Sequence, residues 1–138
     1  MKIVIIFLLS LGLFACSKYQ VNQKKLPGSW KLYQVRIEDG EGFVFYDSLA
    51  TGWFLIDGAK LNGKANYSYN YFGLYTVSDS VAFDQSNCSL SADGESLYIE
   101  RSTDTLHAKI IMLTNHQLTF EYYDQIQYRL KRFSCNRQ

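Results

Sequence analysis

The amino-acid sequence predicts an all-β fold, an up-and-down antiparallel β-barrel of about eight strands, with a two-sheet β-sandwich as the alternative. Apolar and polar residues alternate over short stretches, as they do on strands that bury one face. Asp-Gly and Asn-Gly pairs interrupt the chain between some of these stretches, and such pairs favour tight hairpin turns. The chain also contains 11 Tyr, 9 Phe and 2 Trp but only one Pro, and aromatic residues favour strands.

The expected strands follow one another after residue 27, and the alternation is clearest in the last three of them. We expect strands at 30–37, 53–56, 65–77, 97–99, 106–112, 118–122 and 126–130. In the last strand, residues 126, 128, 130 and 132 share one face because side chains alternate strictly. This parity places Leu130 and Arg132 inside the barrel.

The first 15 residues have the features of an export signal. Lys2 is followed by an apolar run over 3–13, which is too short for a membrane span of about 20 residues. The boundary Leu13-Phe14-Ala15-Cys16 resembles the lipobox that lipoprotein signal peptidase cleaves. The resemblance implies a mature chain that begins at Cys16 and carries acyl chains on that cysteine.

These features divide the chain into three parts. We expect a lipoprotein signal peptide at 1–15, a lipidated, polar and flexible tether at 16–26, and one barrel domain at 27–138. The acyl chains would attach the mature protein to a membrane of the cell envelope. Ser17, directly after the cysteine, is compatible under the lipoprotein resemblance with the periplasmic face of the outer membrane.

Composition and motifs argue against several classes of function. Once Lys2 is removed with the signal, 13 basic residues balance 13 acidic ones, and no basic stripe suggests nucleic acid as a partner. The sequence contains no nucleophile elbow, zinc-protease motif or glycine-rich phosphate loop. His107 and His116 are expected to be solvated. We therefore expect no catalytic residues, no cofactor and no metal; the sequence does not indicate a protein partner.

Three cysteines have to be accounted for. If Cys16 is acylated, Cys88 and Cys135 remain as a pair in an oxidising compartment, where disulfides form and persist. We expect a disulfide between them. The alternative is two unpaired, buried thiols.

Several short motifs resemble those of lipocalins and their relatives. The segment Leu26-Pro27-Gly28-Ser29-Trp30-Lys31-Leu32 is similar to the G-x-W start of that family, and Trp53 to Gly58 is similar to its aromatic strand ending in Asp-Gly. Gly73-Leu74-Tyr75 and the basic final strand Tyr128 to Arg132 continue the pattern. Residues 26–133 as a whole resemble small lipocalin-like lipoproteins of Gram-negative bacteria. This resemblance implies that Trp30 closes one barrel end beneath an arginine of the last strand, and parity selects Arg132.

A tyrosine-rich strand is the candidate binding site. Tyr67, Tyr69, Tyr71 and Tyr75 share one face, and Trp53 on the preceding aromatic strand is assigned to the same site. If this face lines the barrel, its rings and hydroxyls suit a small hydrophobic or amphipathic ligand. If it points outward, it suits a glycan or a protein, and aromatic residues also occur on strands simply as packing.

Two functions therefore remain open. The first is a binding module that holds a small hydrophobic or amphipathic molecule in the barrel. The second is a structural or protein-interaction component of an envelope complex, with a packed barrel and no ligand. A continuous cavity lined by Tyr67, Tyr69 and Tyr71 would distinguish the first from the second.

Overall fold

A computed structural model of the chain describes residues 18–57, 63–71, 75–82, 88–100 and 105–138. Within these residues the strands form a single antiparallel sheet. The strands are β1 (Gly28–Glu38), β2 (Val44–Asp47), β3 (Thr51–Ile56), β4 (Gly63–Tyr71), β5 (Tyr75–Ala82), β6 (Cys88–Leu90), β7 (Ser96–Glu100), β8 (Thr105–Leu113), β9 (Gln117–Asp124) and β10 (Arg129–Arg137).

The order of the strands confirms the predicted fold class. Neighbours in the sheet run β5-β4-β3-β1-β10-β9-β8-β7-β6, and β2 pairs with the second half of β1. Most strands lie beside a neighbour in sequence, β2 and β3 both pair with β1, and β1 also pairs with the last strand, β10, as in an up-and-down barrel. The fold is therefore an all-β, up-and-down antiparallel barrel.

Alternation along the first strand defines the barrel interior. Trp30 and Leu32 are buried in the first half of β1, whereas Val35 and Ile37 are buried in the second half. The buried positions change from even to odd numbers because the pairing with β10 shifts between Leu32 and Gln34. A bulge of this kind inserts one residue and moves the following side chains to the opposite face.

The last strand differs from its prediction. Residues 125–128 form a turn instead of the start of a strand, and the Asp124 carboxylate accepts hydrogen bonds from the backbone N–H groups of Ile126 and Gln127. The strand begins at Arg129 and buries Lys131, Phe133 and Cys135. The inward parity is therefore the reverse of the predicted one.

The segment before the barrel is not the flexible tether that the sequence suggested. Residues 18–25 are helical, and we call them the N-terminal helix. Tyr19 packs against the core, the Asn22 amide donates to the carbonyl of Gly94 at 2.8 Å, and Leu26 after the helix is fully buried. The segment looks polar in the sequence, but as a helix it places Tyr19 and Asn22 against the barrel. No helix in the described parts of the chain is long and apolar enough to cross a membrane.

The expected disulfide is absent because Cys135 is a free, buried thiol. Cys135 lies in β10 and Cys88 begins β6, and β9, β8 and β7 lie between these strands. Through the strand registers Cys88 lies level with Leu106 of β8 and Cys135 with Leu113, which are about 23 Å apart along that strand. A disulfide needs Cα atoms within about 7 Å. The disulfide prediction is therefore wrong.

Candidate functional site

The barrel has two different ends. The closed end carries the N-terminal helix, the start of β1 and the end of β10. The open end carries the β1–β2 connection (39–43) and the β9–β10 turn (125–128).

The closed end is filled by a tryptophan and an arginine. Trp30 is 0% exposed, and its indole N–H donates to the carbonyl of Leu26 at 2.9 Å. The Arg137 guanidinium lies 4.2 Å from the centre of the Trp30 rings. It also donates to the carbonyl of Pro27 at 2.8 Å and to that of Lys25. This arrangement closes the barrel and ties the N-terminal helix to β10.

The arginine that closes the barrel is Arg137, so the prediction of Arg132 was wrong. Trp30 lies opposite Arg137 in the β1–β10 register, because β10 starts later and runs further than predicted. Arg132 points outward, with a side chain 34% exposed, and pairs with the Glu121 carboxylate at 2.6 Å. The tryptophan–arginine arrangement implied by the resemblance is present with a different arginine.

The interior of the barrel is packed by its own aromatic rings. Tyr67 and Tyr69 are buried, so of the two directions left open by the sequence, this face of β4 points inward. Phe133 lies at the centre of the cluster, with ring centres 5.0–6.3 Å from those of its neighbours, which are Phe54, Tyr67, Tyr69, Phe120 and Tyr122. We call these six residues the aromatic core.

Little empty space remains beside the aromatic core. The interior cavity, which Tyr67 helps to line, measures about 30 Å³, whereas ligand pockets usually measure roughly 300–1,000 Å³. A space of that size holds one or two water molecules. In this structure Tyr67 and Tyr69 are therefore packing residues and not the wall of a ligand cavity.

The remaining predicted ligand residues are Tyr71, Tyr75 and Trp53. Tyr71 ends β4 and lies opposite Tyr75, the first residue of β5, in the strand register, and their side chains lie outside the described part of the structure. Trp53 is 40% exposed and lies opposite Lys31 on the outer face. Because Phe54 and Ile56 occupy the inner face of β3, Trp53 cannot line the interior.

A buried ion pair lies above the aromatic core at the open end. Lys131 is 5% exposed, its ammonium is 2.7 Å from the Asp124 carboxylate, and it lies 5.9 Å from the centre of the Tyr69 ring. Burial opposes the charge of Lys131, but Tyr122, Asp124 and Tyr69 outweigh burial and raise the pKa of Lys131. Burial likewise opposes ionisation of Asp124, yet hydrogen bonds from Lys131 and the Gln127 backbone lower the pKa of Asp124.

A larger cavity than the interior one lies between β8 and β9 at the open end. β8 and β9 pair from Lys109 and Glu121 toward the closed end. At the open end, residues 105–108 of β8 and 122–124 of β9 are not paired with each other, so the two strands separate there. The space between them measures about 420 Å³, and we call it the β8–β9 cleft. Its lining residues are Thr105, Leu106, His107, Tyr122, Tyr123, Asp124, Gln125 and Ile126.

Two side chains connect the cleft with the barrel interior. Leu106 and Tyr122 line both the β8–β9 cleft and the small interior cavity. Burial raises the pKa of the Tyr122 hydroxyl, so this group is neutral at physiological pH. The cleft therefore has an apolar inner wall and a polar outer rim, and its volume falls within the range of ligand pockets.

Sequence reasoning did not find the cleft. Its position depends on where two strands stop pairing, and the bulge between Ile110 and Met112 in β8 leaves no mark in the alternation. His107, treated as solvated, lies at the cleft with its ring 4.8 Å from that of Tyr98. Among the described residues, no three acidic, histidine or cysteine side chains are grouped as a metal site would require.

Comparisons with known proteins return few matches. No protein-family model matches the chain, and no curated protein matches it. Two solved structures are similar. One is a de novo designed fluorescence-activating β-barrel, with 10% identity, a TM-score of 0.48, and coverage of 84% of this chain and 96% of that chain. The other is a redesigned β-barrel, with 11% identity, a TM-score of 0.40, and coverage of 84% and 94%.

Proposed function

We propose that the protein is a lipid-anchored lipoprotein of the cell envelope, of the lipocalin-like type, and that it binds a small hydrophobic or amphipathic molecule in the β8–β9 cleft. The observation that carries this proposal is the cleft itself. It is a cavity of about 420 Å³ at the open end of a barrel whose interior is otherwise packed.

The cleft chemistry favours an amphipathic molecule. Leu106 and the rings of Tyr122 and Tyr123 offer apolar surface, whereas Thr105 and His107 offer polar groups at the rim. Aromatic side chains with polar tips suit ligands that are apolar in body and polar at one end. Asp124 already accepts from Lys131 and two backbone N–H groups, so the cleft presents no unpaired carboxylate that selects a cation.

The anchor is supported by the N-terminal sequence. The charged start, the short apolar run and the Leu13-Phe14-Ala15-Cys16 boundary together resemble a lipoprotein signal. An acyl chain contributes about 0.8 kcal/mol per buried CH₂, and one chain alone binds a membrane only marginally. The several chains that the resemblance implies on Cys16 would hold the protein permanently.

A dye-binding experiment tests the ligand site. N-phenyl-1-naphthylamine, a neutral dye that becomes fluorescent in apolar surroundings, is titrated into the protein and two variants. Thr105→Trp places an indole in the cleft, whereas Lys109→Trp places it on the same outer face of β8 away from the cleft; both positions are exposed. We expect Thr105→Trp to weaken dye binding at least tenfold and Lys109→Trp to leave it unchanged. Equal binding by all three proteins would refute the cleft as the site.

The second candidate function is a structural or protein-interaction component of an envelope complex. The packed aromatic core favours it, as do Phe43, Ile126 and Tyr128, which are 63%, 87% and 69% exposed around the open end. Exposed apolar groups of this kind mark protein-interaction surfaces when they are contiguous. Absence of dye binding, together with no small molecule in native mass spectra of protein from its own envelope, would favour this second function.

A further inference from the structure

We infer that the closed end of the barrel is the surface that faces an anionic lipid bilayer, so that the β8–β9 cleft opens away from the membrane. This orientation depends on the proposed acylation of Cys16 but is not part of it. A flexible tether, as the sequence suggested, would allow any orientation. The N-terminal helix, which is packed on the barrel, does not allow this freedom.

The first step of the argument is the short distance between the anchor and the barrel. The helix includes residue 18, and only Ser17 lies between it and Cys16, so the two are two residue steps apart. Whatever their conformation, two residues span at most about 7 Å. Acyl chains on Cys16 therefore hold the start of the helix at the lipid headgroups.

The second step is that the helix is fixed to the barrel. Lys18 forms an ion pair of 2.5 Å with Glu95, and Asn22 donates to the carbonyl of Gly94. Gly94 has a φ of +75°, and a Cβ placed there would lie 2.9 Å from the Cα of Tyr19. The helix and the β6–β7 turn therefore touch backbone to backbone, which only glycine permits at this position. The barrel must follow the orientation of the helix.

The third step is the charge of the surface that the helix presents. Between residues 17 and 31 the chain contains four Lys residues and no Asp or Glu. Lys18 is neutralised by Glu95, and Arg137 is occupied by Trp30 and two carbonyls. Lys24 is exposed and Lys25 partly exposed on the helix, beside the half-exposed Val21. Basic residues next to a membrane anchor are attracted to anionic headgroups.

The facing acidic groups do not reverse this charge. Glu95 is paired with Lys18. The Asp93 carboxylate accepts from the Ser91 hydroxyl and the Glu95 backbone, which lowers its pKa and keeps its negative charge. Asp57 follows β3 at the same end. Asp93 and Asp57 therefore stand against Lys24, Lys25, Lys31 and Arg137 at this end. On the helix itself, Lys24 and Lys25 remain as uncompensated cations.

The geometry also fixes where the cleft lies. The nine residues of β10 measure about 30 Å along the strand, or roughly 23 Å along the axis at a usual strand tilt. With the closed end on the headgroups, the open end stands about that far from the bilayer. The cleft would then face soluble ligands or partners and not the acyl chains of the same membrane.

A quenching experiment with the acylated full chain tests the orientation. Asn115 lies in the exposed β8–β9 turn at the closed end, and Gln125 lies in the exposed β9–β10 turn at the open end. Asn115→Cys and Gln125→Cys, each made in a chain that carries Cys88→Ser, receive the same thiol-reactive dye. The proteins are incorporated into vesicles of phosphatidylethanolamine with one quarter phosphatidylglycerol and a headgroup nitroxide, which quenches only nearby dyes.

We expect the dye at position 115 to be quenched at least threefold more than the dye at position 125. Lys24→Glu should reduce that difference, since each basic residue near an anionic surface shifts the contact equilibrium roughly fivefold. Lys109→Glu, an exposed reversal midway along β8, should not reduce it. Equal quenching, or stronger quenching at 125, in protein that floats with the vesicles would overturn the orientation and leave the anchor intact. Protein whose mass shows no acyl chain on Cys16 would overturn the anchor, and the orientation with it.

Discussion

Replacement of Arg137 by alanine should destabilise the barrel far more than replacement of Arg132. Arg137 packs on Trp30 at 4.2 Å and donates to two carbonyls before β1. A desolvated cation–π contact contributes about 2 kcal/mol, and a hydrogen bond from a charged donor about 1.5–3 kcal/mol. These contributions to stability are not additive. The buried Nε of Arg137 also has no hydrogen-bond partner in the described structure, and the cost of burying it offsets part of the stabilisation. We expect Arg137→Ala to lower the free energy of unfolding by about 3–5 kcal/mol.

Arg132 provides the matched control on the same strand. Its side chain is 34% exposed and pairs with Glu121, and a partly exposed ion pair contributes on the order of 0.2–1 kcal/mol. Arg132→Ala should therefore lower the free energy of unfolding by less than about 1 kcal/mol.

Urea denaturation followed by tryptophan emission measures both effects. Trp53→Phe removes the exposed tryptophan, so the remaining emission comes from buried Trp30. Arg137→Lys is a useful third variant, because it keeps the charge but cannot donate to both carbonyls from one planar group. The closed-end arrangement of Trp30 and Arg137 is wrong if Arg137→Ala unfolds at the same urea concentration as the parent. It is also wrong if Arg132→Ala lowers the free energy of unfolding more than Arg137→Ala does.

Four further predictions follow from the core and its ionisable groups. Phe133→Ala should lower the free energy of unfolding by about 3–5 kcal/mol, as for other buried Phe residues, which calorimetry can measure; a change below about 1 kcal/mol would contradict the packing of the aromatic core. Burial raises the pKa of Cys135 to about 12, so in a Cys88→Ser variant Ellman's reagent should not modify this thiol at pH 8 until the protein unfolds, and rapid modification of that native variant would contradict the burial of Cys135. Since the pKa of Asp124 is lowered in the folded state, its contribution to stability is present above about pH 4 and is lost as pH falls through the folded pKa. Asp124→Asn should therefore flatten the acid side of the stability profile, and an unchanged acid side would be the contrary result. The pKa values of Lys131 and Tyr122 are raised in the folded state, so the unfolded chain loses these protons first as pH rises. The free energy of unfolding should therefore fall above about pH 10.

Local patterns in the sequence determined the fold class and the direction of several side chains. The alternation in β9 and the common face of Tyr67 and Tyr69 follow from the two-residue period of a strand, which any short segment displays on its own. The signal-like N-terminus and the lipid site at Cys16 are also local patterns, and they stay predictions because they lie outside the described residues.

The tertiary structure alone decided how the strands are aligned with one another. A one-residue change in register reverses every side chain of a strand, and the turn at 125–128 and the bulge after Leu32 both produce such changes. For that reason Arg137 closes the barrel in place of Arg132. Trp53 lies outside it because Phe54 and Ile56 occupy the inner face of β3. The helical winding of 18–25 likewise depends on contacts with Gly94 and the core, which are distant in sequence.

The sequence also could not show how much empty space the barrel contains. The same tyrosines could have surrounded a ligand or filled the interior, because an eight-stranded barrel is just wide enough for either. The positions of Phe54, Phe120 and Phe133 around Tyr67 decide that the interior is packed. The point at which β8 and β9 stop pairing decides that the open space lies between them, since strand separation depends on register and curvature, which no single segment carries.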